Sequence, residues 1–293
     1  MTPDRPSTTA TLVAFNRAAA HGRTLIRGFS DPIAEKLLPR PYALFLGEAR
    51  RRSGRIHAPR TLTDRVSSSL VAHLSDSIPL RTVAIDAALR EAAAPQLVVL
   101  GAGLDGRAWR MEELAGATVF EVDHPATQRY KRERVASLKP CAGDVRFVSV
   151  DFEKESLVEK LEQAGHRSDK PTFWLWEGVV MYLQMEAIRG TLRGIAARSA
   201  PGSRVAATYV RPDRRWRELP VILQLVREPL RTVLTPAEIA SEFRAAGWDL
   251  LADTGVTDWS ARFGGTPPGR LSKRWLSPER LIVTQWPAAP VAT

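Results

Sequence analysis

Beyond residue 95 the chain alternates short apolar runs with amphipathic stretches, and nothing else in it restricts the fold so tightly. Leu97–Leu100 is followed by glycines and a helical stretch through Leu114. Thr118–Val122 precedes a helical segment over Ala126–Leu138, and Arg146–Val150 precedes one over Lys154–Ala164. Thr172–Trp176 leads into a helix around Gln184–Arg198, after which Pro201-Gly202 turns the chain into Arg204–Val210. Strands alternating with helices predict a doubly wound, mostly parallel α/β sheet. In such sheets ligands bind beyond the carboxyl ends of the strands.

The flanking segments read differently. Thr235-Pro236-Ala237-Glu238 carries a Thr N-cap, Pro at the first helical position and Glu at the third, so it starts a helix that Gly247 stops. Leu250–Leu251 and Leu281–Gln285 are the candidate last strands. Residues 1–94 read as helical, with expected breaks at Pro32, Pro39, Pro41, Pro59 and Pro79. The expected division is therefore a helical cap over 1–94 and a ligand-binding domain over 95–293, with a cap insertion at about 211–234.

Composition narrows the class. No apolar run reaches the roughly 18 residues of a membrane helix, and the N-terminus has no signal-peptide core, so a cytoplasmic location is expected. The single cysteine, Cys141, allows neither an internal disulfide nor a cysteine metal site. The five histidines are scattered with no i,i+4 pair, so no metal is expected. The formal charge is +10, from 42 basic and 32 acidic residues. Arginines cluster at 50, 51, 52 and 55 and again at 211, 214, 215 and 217, with only Trp216 as an interleaved aromatic. That suits a solvated face or attraction of an anionic small molecule better than a nucleic-acid surface.

The glycines of LVVLGAGLDGRAWR, at 101, 103 and 106, have the G-x-G-x-x-G spacing of a dinucleotide-binding turn. Glu121 and Asp123 follow 20 and 22 positions after Gly101, where a ribose-binding carboxylate belongs. These features suit NAD(P) and S-adenosyl-L-methionine equally, since both contain an adenosine ribose. Others favour the second. Asp151-Phe152 ends the third strand, where a carboxylate and a backbone N–H can meet adenine, and Glu177-Gly178 ends the fourth. Each acid also has a plainer reading: Asp123 as cap of the helix opened by Pro125, Asp151 as cap of the Lys154 helix, Glu177 as a surface charge.

The ordered motifs LGAGLDGRAWR, FEVDHP, VDF and PTFWLWEGVVMYL resemble the leucine carboxyl methyltransferase-like family, which includes bacterial S-adenosylmethionine-dependent and polyketide carboxyl O-methyltransferases. The resemblance covers roughly residues 80 to 210, and Gly106 departs from the Thr usual there. It implies a class I methyltransferase fold, Rossmann-like with seven strands, and S-adenosyl-L-methionine as cofactor. It also implies that Gly101 and Gly103 line the methionine portion, Asp123 takes the ribose hydroxyls, Asp151 and Phe152 hold adenine, and Glu177 sits near the amino group. Arg81, in LRTVAIDAAL, stands where the family has an Arg pairing with the cofactor carboxylate, a bidentate interaction that suits guanidinium.

The activity expected is O-methylation of a carboxyl or phenolic group of a small secondary metabolite. An NAD(P)-dependent oxidoreductase and a nucleic-acid methyltransferase are the alternatives. An ionised carboxylate acceptor needs no general base, whereas a phenol, with pKa about 10, calls for one. Tyr209, at the end of the fifth strand, is a candidate substrate contact and His124 a weaker candidate base. No catalytic residue is assigned, and oligomeric state is left open.

Overall fold

The computed structural model describes residues 7–56, 62–151, 154–212, 230–265 and 278–287, with side chains at 49, 51–56 and 62–75 excepted. Four helices open the chain: α1 (Thr8–Ala20), α2 (Ala34–Leu37), α3 (Arg40–Ile56) and α4 (Leu62–Ala92). The alternating part follows as β1 (Gln96–Leu100), α5 (Arg107–Arg110), β2 (Thr118–Asp123), α6 (Pro125–Val135), β3 (Asp144–Ser149) and α7 (Leu157–Gln163). It continues through β4 (Thr172–Trp176), α8 (Met185–Ala197), β5 (Arg204–Val210), α9 (Pro236–Ala245), β6 (Asp249–Gly255), α10 (Val256–Phe263) and β7 (Glu279–Gln285).

The seven strands form one sheet in the order β3-β2-β1-β4-β5-β7-β6. Six run in one direction, and β7 inserts antiparallel between β5 and β6. Strand order reverses between β1 and β4, which opens a crevice above their carboxyl ends. Side chains alternate across the sheet, as the pleat requires. Leu97, Val99, Val119, Phe173, Leu175 and Ala206 face the N-terminal helices and α10. Val98, Leu100, Phe120, Val122, Trp174, Trp176 and Tyr209 face α7, α8 and α9. Trp174 and Trp176 are thus core residues.

Three helix expectations need correction. Pro79 lies inside α4 rather than ending it; Leu80, Val83 and Ile85 are buried there, and that packing outweighs the lost N–H. Pro41 occupies the first turn of α3, where its missing N–H has no helical partner to lose. The helix expected after the glycines is also shorter: α5 has four residues, then a 3₁₀ turn spans Glu112–Leu114. The Thr235–Glu238 capping box is present as read. Pro59, the arginines at 214, 215 and 217 and most of the 211–234 insertion lie outside the described residues.

Candidate cofactor cleft

The loop after β1 crosses directly onto β2: Gly101 and Ala102 both donate to the Val122 carbonyl, at 2.8 and 2.9 Å. Gly101 (φ +69°) and Gly103 (φ +47°) both adopt the left-handed conformation that favours glycine. A Cβ at Gly101 would stand 2.7 Å from Val179 Cγ2 and one at Gly103 would stand 3.1 Å from Ala10 Cβ. Gly106 has an ordinary φ, and its missing Cβ admits Ile33 and Asp31 of the cap instead. The third glycine is a packing residue rather than part of a phosphate cradle.

Over this loop lies a cleft of about 240 Å³, roofed by α1 through Thr9, Ala10, Val13 and Arg17. Its floor brings together Arg81, Gly101, Gly103, Asp123 and Glu177, five of the residues singled out from sequence. Asp123 is held by two backbone donors, Gly103 N–H on Oδ2 and His124 N–H on Oδ1, each at 2.6 Å. Burial pushes its carboxyl up, while those two N–H groups pull the other way. It does not cap α6; His124 does, its Nδ1 accepting from Ala126 N–H. Glu121 points away from the cleft into a buried pair with Lys131, and burial pushes its carboxyl up to about 7.

Glu177 is gripped by two guanidinium groups. Its Oε1 accepts from Arg81 Nε at 2.8 Å and its Oε2 from Arg107 Nη1 at 2.8 Å. Burial alone would raise its carboxyl, but Arg81 and Arg107 hold it below the usual range. Arg81 also donates to Glu279 at 2.6 Å, and Arg107 donates to Asp86 at 2.7 Å and pairs with Asp105. Arg81 retains N–H groups beyond these, so a ligand carboxylate can still be received there. Sequence reading missed Arg107, Asp105, Asp86 and Glu279, which lie far apart along the chain. The available signal was a charge set within apolar helix, as in VAIDAAL.

The remaining assignments fall elsewhere. Asp151 is half-buried, lies outside the cleft lining, and pairs with Lys154 at 2.9 Å. It does not cap α7, whose N-cap is Ser156. Phe152 lies outside the described residues. Tyr209, the candidate substrate contact, does not line this cleft. The period of β5 turns its ring toward the α8–α9 side, and its hydroxyl donates to Asp253 at 2.6 Å.

This geometry discriminates between the two cofactors that the glycine spacing left open. A pyrophosphate would need free N–H groups at the start of α5, yet Arg107 N–H already donates to Asp105 Oδ1 at 2.7 Å. Around the cleft, Arg17 and Arg81 face Asp105, Asp123 and Glu177. Asp105 and Glu177 are already paired with Arg107, which leaves the Asp123 carboxylate, held by backbone N–H groups, to suit a cationic sulfonium ligand and oppose a dianionic pyrophosphate. Among the described residues there is no acidic–histidine cluster fit for a metal and no helix long and apolar enough to cross a membrane.

Sheet order, antiparallel β7 and a cleft at the β1–β4 switch define a class I methyltransferase fold. The chain belongs to the leucine carboxyl methyltransferase family, whose sequence profile matches residues 10–196. A Mycolicibacterium paratuberculosis protein provisionally named an S-adenosyl-L-methionine-dependent methyltransferase is 38% identical over 208 residues, covering 69% of this chain and 64% of that one. A Mycobacterium avium protein of the same name is 38% identical, with 70% and 64% covered. The chain thus spans 64% of the length of these curated relatives. A duf574 family protein from Streptomyces avermitilis shares the fold, with TM-score 0.57 at 16% identity and 96% and 98% coverage. So does a protein from Thermobifida fusca provisionally named a methyltransferase, at TM-score 0.55, 16% identity and 97% and 96% coverage.

Proposed function

We propose that the protein transfers the methyl group of S-adenosyl-L-methionine to an oxygen of a small molecule, a carboxylate in preference to a phenol. The observation that carries this is the ring of carboxylates around the glycine turn, with Asp123 held by backbone N–H groups. The cofactor supplies an activated methyl on a neutral leaving group, so the chain has to bind, orient and exclude water. Asp123 serves the ribose hydroxyls, with one lone pair on each oxygen beyond those its backbone donors use. Arg81 receives the methionine carboxylate and Glu177 its ammonium group. The α1 roof keeps water from the reacting atoms. Asp151 and Phe152 hold adenine beyond the end of β3.

A carboxylate acceptor is favoured because His124 is occupied as a helix cap and Tyr209 is turned from the cleft. Neither is placed to take a proton, and a carboxylate has none to give up. The cluster of arginines at 211, 214, 215 and 217 adds positive charge that attracts an anionic acceptor.

Calorimetry tests the cofactor: S-adenosylhomocysteine binds, NAD(H) and NADP(H) do not, and Asp123→Ala lowers affinity at least about 30-fold, the size expected of a lost charged hydrogen-bond pair. A screen of acidic and phenolic metabolites with methyl-labelled cofactor tests the acceptor. A methyl ester releases labelled methanol in alkali and an aryl ether does not. A base-stable product would replace carboxylate by phenol.

A further inference from the structure

Threonines within helices usually return their hydroxyl to the carbonyl four residues earlier. This chain does so repeatedly: Thr11 donates to Ser7, Thr82 to Ile78 and Thr191 to Ala187, at 3.0, 2.8 and 2.8 Å. Thr127, in the first turn of α6, does not. Its Oγ1 has no partner, although the residue is only 2% exposed. The reason is local. The carbonyl four residues back belongs to Asp123, which ends β2 ahead of the N-cap His124 and so lies outside the helical turn, bonded to Val150 N–H at 3.0 Å. A buried hydroxyl without a partner is unfavourable and calls for an explanation.

Thr127 also lines the cleft, on the same wall as Asp123. We propose that its hydroxyl is the second protein contact of the cofactor's ribose, completing with the Asp123 carboxylate a site for a vicinal diol. Each Asp123 oxygen holds one backbone N–H already, so a diol donating to that carboxylate still has oxygen lone pairs to satisfy. The Thr127 hydroxyl donates to one of them. This assignment rests on reading the cleft as an adenosine site, and it adds a contact that the glycines and carboxylates do not supply.

Thr127→Val keeps the shape and removes the hydroxyl, and Thr127→Ser keeps the hydroxyl. Calorimetry on the whole chain should show S-adenosylhomocysteine bound about 5-fold more weakly by Thr127→Val, the worth of one neutral hydrogen bond, and near-normally by Thr127→Ser. The melting temperature of ligand-free Thr127→Val should equal or exceed that of the wild type, because an unsatisfied buried group has gone. The 2′-deoxy and 3′-deoxy analogues of S-adenosylhomocysteine locate the contact. For the analogue lacking the contacted hydroxyl, wild type and Thr127→Val should bind alike. Unchanged affinity in Thr127→Val, or an equal loss for both analogues and the parent ligand, overturns the proposal. A wild type without affinity for S-adenosylhomocysteine overturns the adenosine reading as well, so the two failures are distinguishable.

Discussion

At the end of β4, Glu177 meets two guanidinium groups; at the end of β2, Asp123 meets two backbone N–H groups. These residues close the two sides of one cleft, and they are prepared for a ligand in different ways. On the Glu177 side the charges pair with one another through Arg81, Arg107, Asp86, Asp105 and Glu279, although Arg107 Nη2 is left without a hydrogen-bond partner. That side is assembled before any ligand arrives, and its arginines act mainly as scaffold. On the Asp123 side, lone pairs and the Thr127 hydroxyl are left for the ligand to fill. Preorganisation by ion pairs and reserved hydrogen-bonding capacity therefore coexist within a single pocket.

Removing the scaffold should have the largest effect. Arg107 is 1% exposed, and Arg107→Leu strips a counter-charge from three carboxylates. Loss of a buried partner of this kind typically destabilises by about 3–5 kcal/mol; a loss under about 1 kcal/mol in urea denaturation would show that the network is solvated and the contrast false. Gly101→Ala comes next. The left-handed backbone and the 2.7 Å approach to Val179 Cγ2 together predict about 1–3 kcal/mol of destabilisation and weaker cofactor binding. Val179→Ala in the same chain should recover part of the binding, because it relieves the collision and leaves the backbone strain.

A titration remote from both sides gives a control. Burial, and to a lesser degree Arg198, push the His166 imidazole down to about 4 from its ordinary 6.5. The unfolded chain therefore takes up this proton first. Stability from this group is intact above about pH 6.5 and declines as pH falls towards 4, by at most about 1.4 kcal/mol per pH unit. Melting curves from pH 7 to 5 should show this slope, and His166→Asn should flatten it. The smallest effect is expected at Asp151, half-exposed and already paired with Lys154. Asp151→Ala should weaken S-adenosylhomocysteine less than about 5-fold, well below the loss at Asp123. Equal losses would mean that adenine and ribose are gripped alike.

Much of this architecture was legible in the sequence. The bounds Thr172–Trp176 and Arg204–Val210 match β4 and β5 because buried parallel strands are continuous apolar runs with sharp polar edges. Asp123 and Glu177 were legible because strand ends fix where a side chain can reach. The ion network was not. Arg107 stands 21 residues from Asp86 and 70 from Glu177, and only the folded sheet brings them together. The facing of Tyr209 was not legible either: its position along β5 was right, while the pleat sends its ring to the α8–α9 face.

The placement of β7 bears on how the protein is made. Glu279 opens that strand and completes the partners of Arg81, while the rest of β7 joins β5 to β6. A ribosome must therefore translate well past residue 279 before Arg81 has both of its carboxylate partners. A chain stalled earlier lacks the strand that supplies this carboxylate to Arg81 and joins β5 to β6.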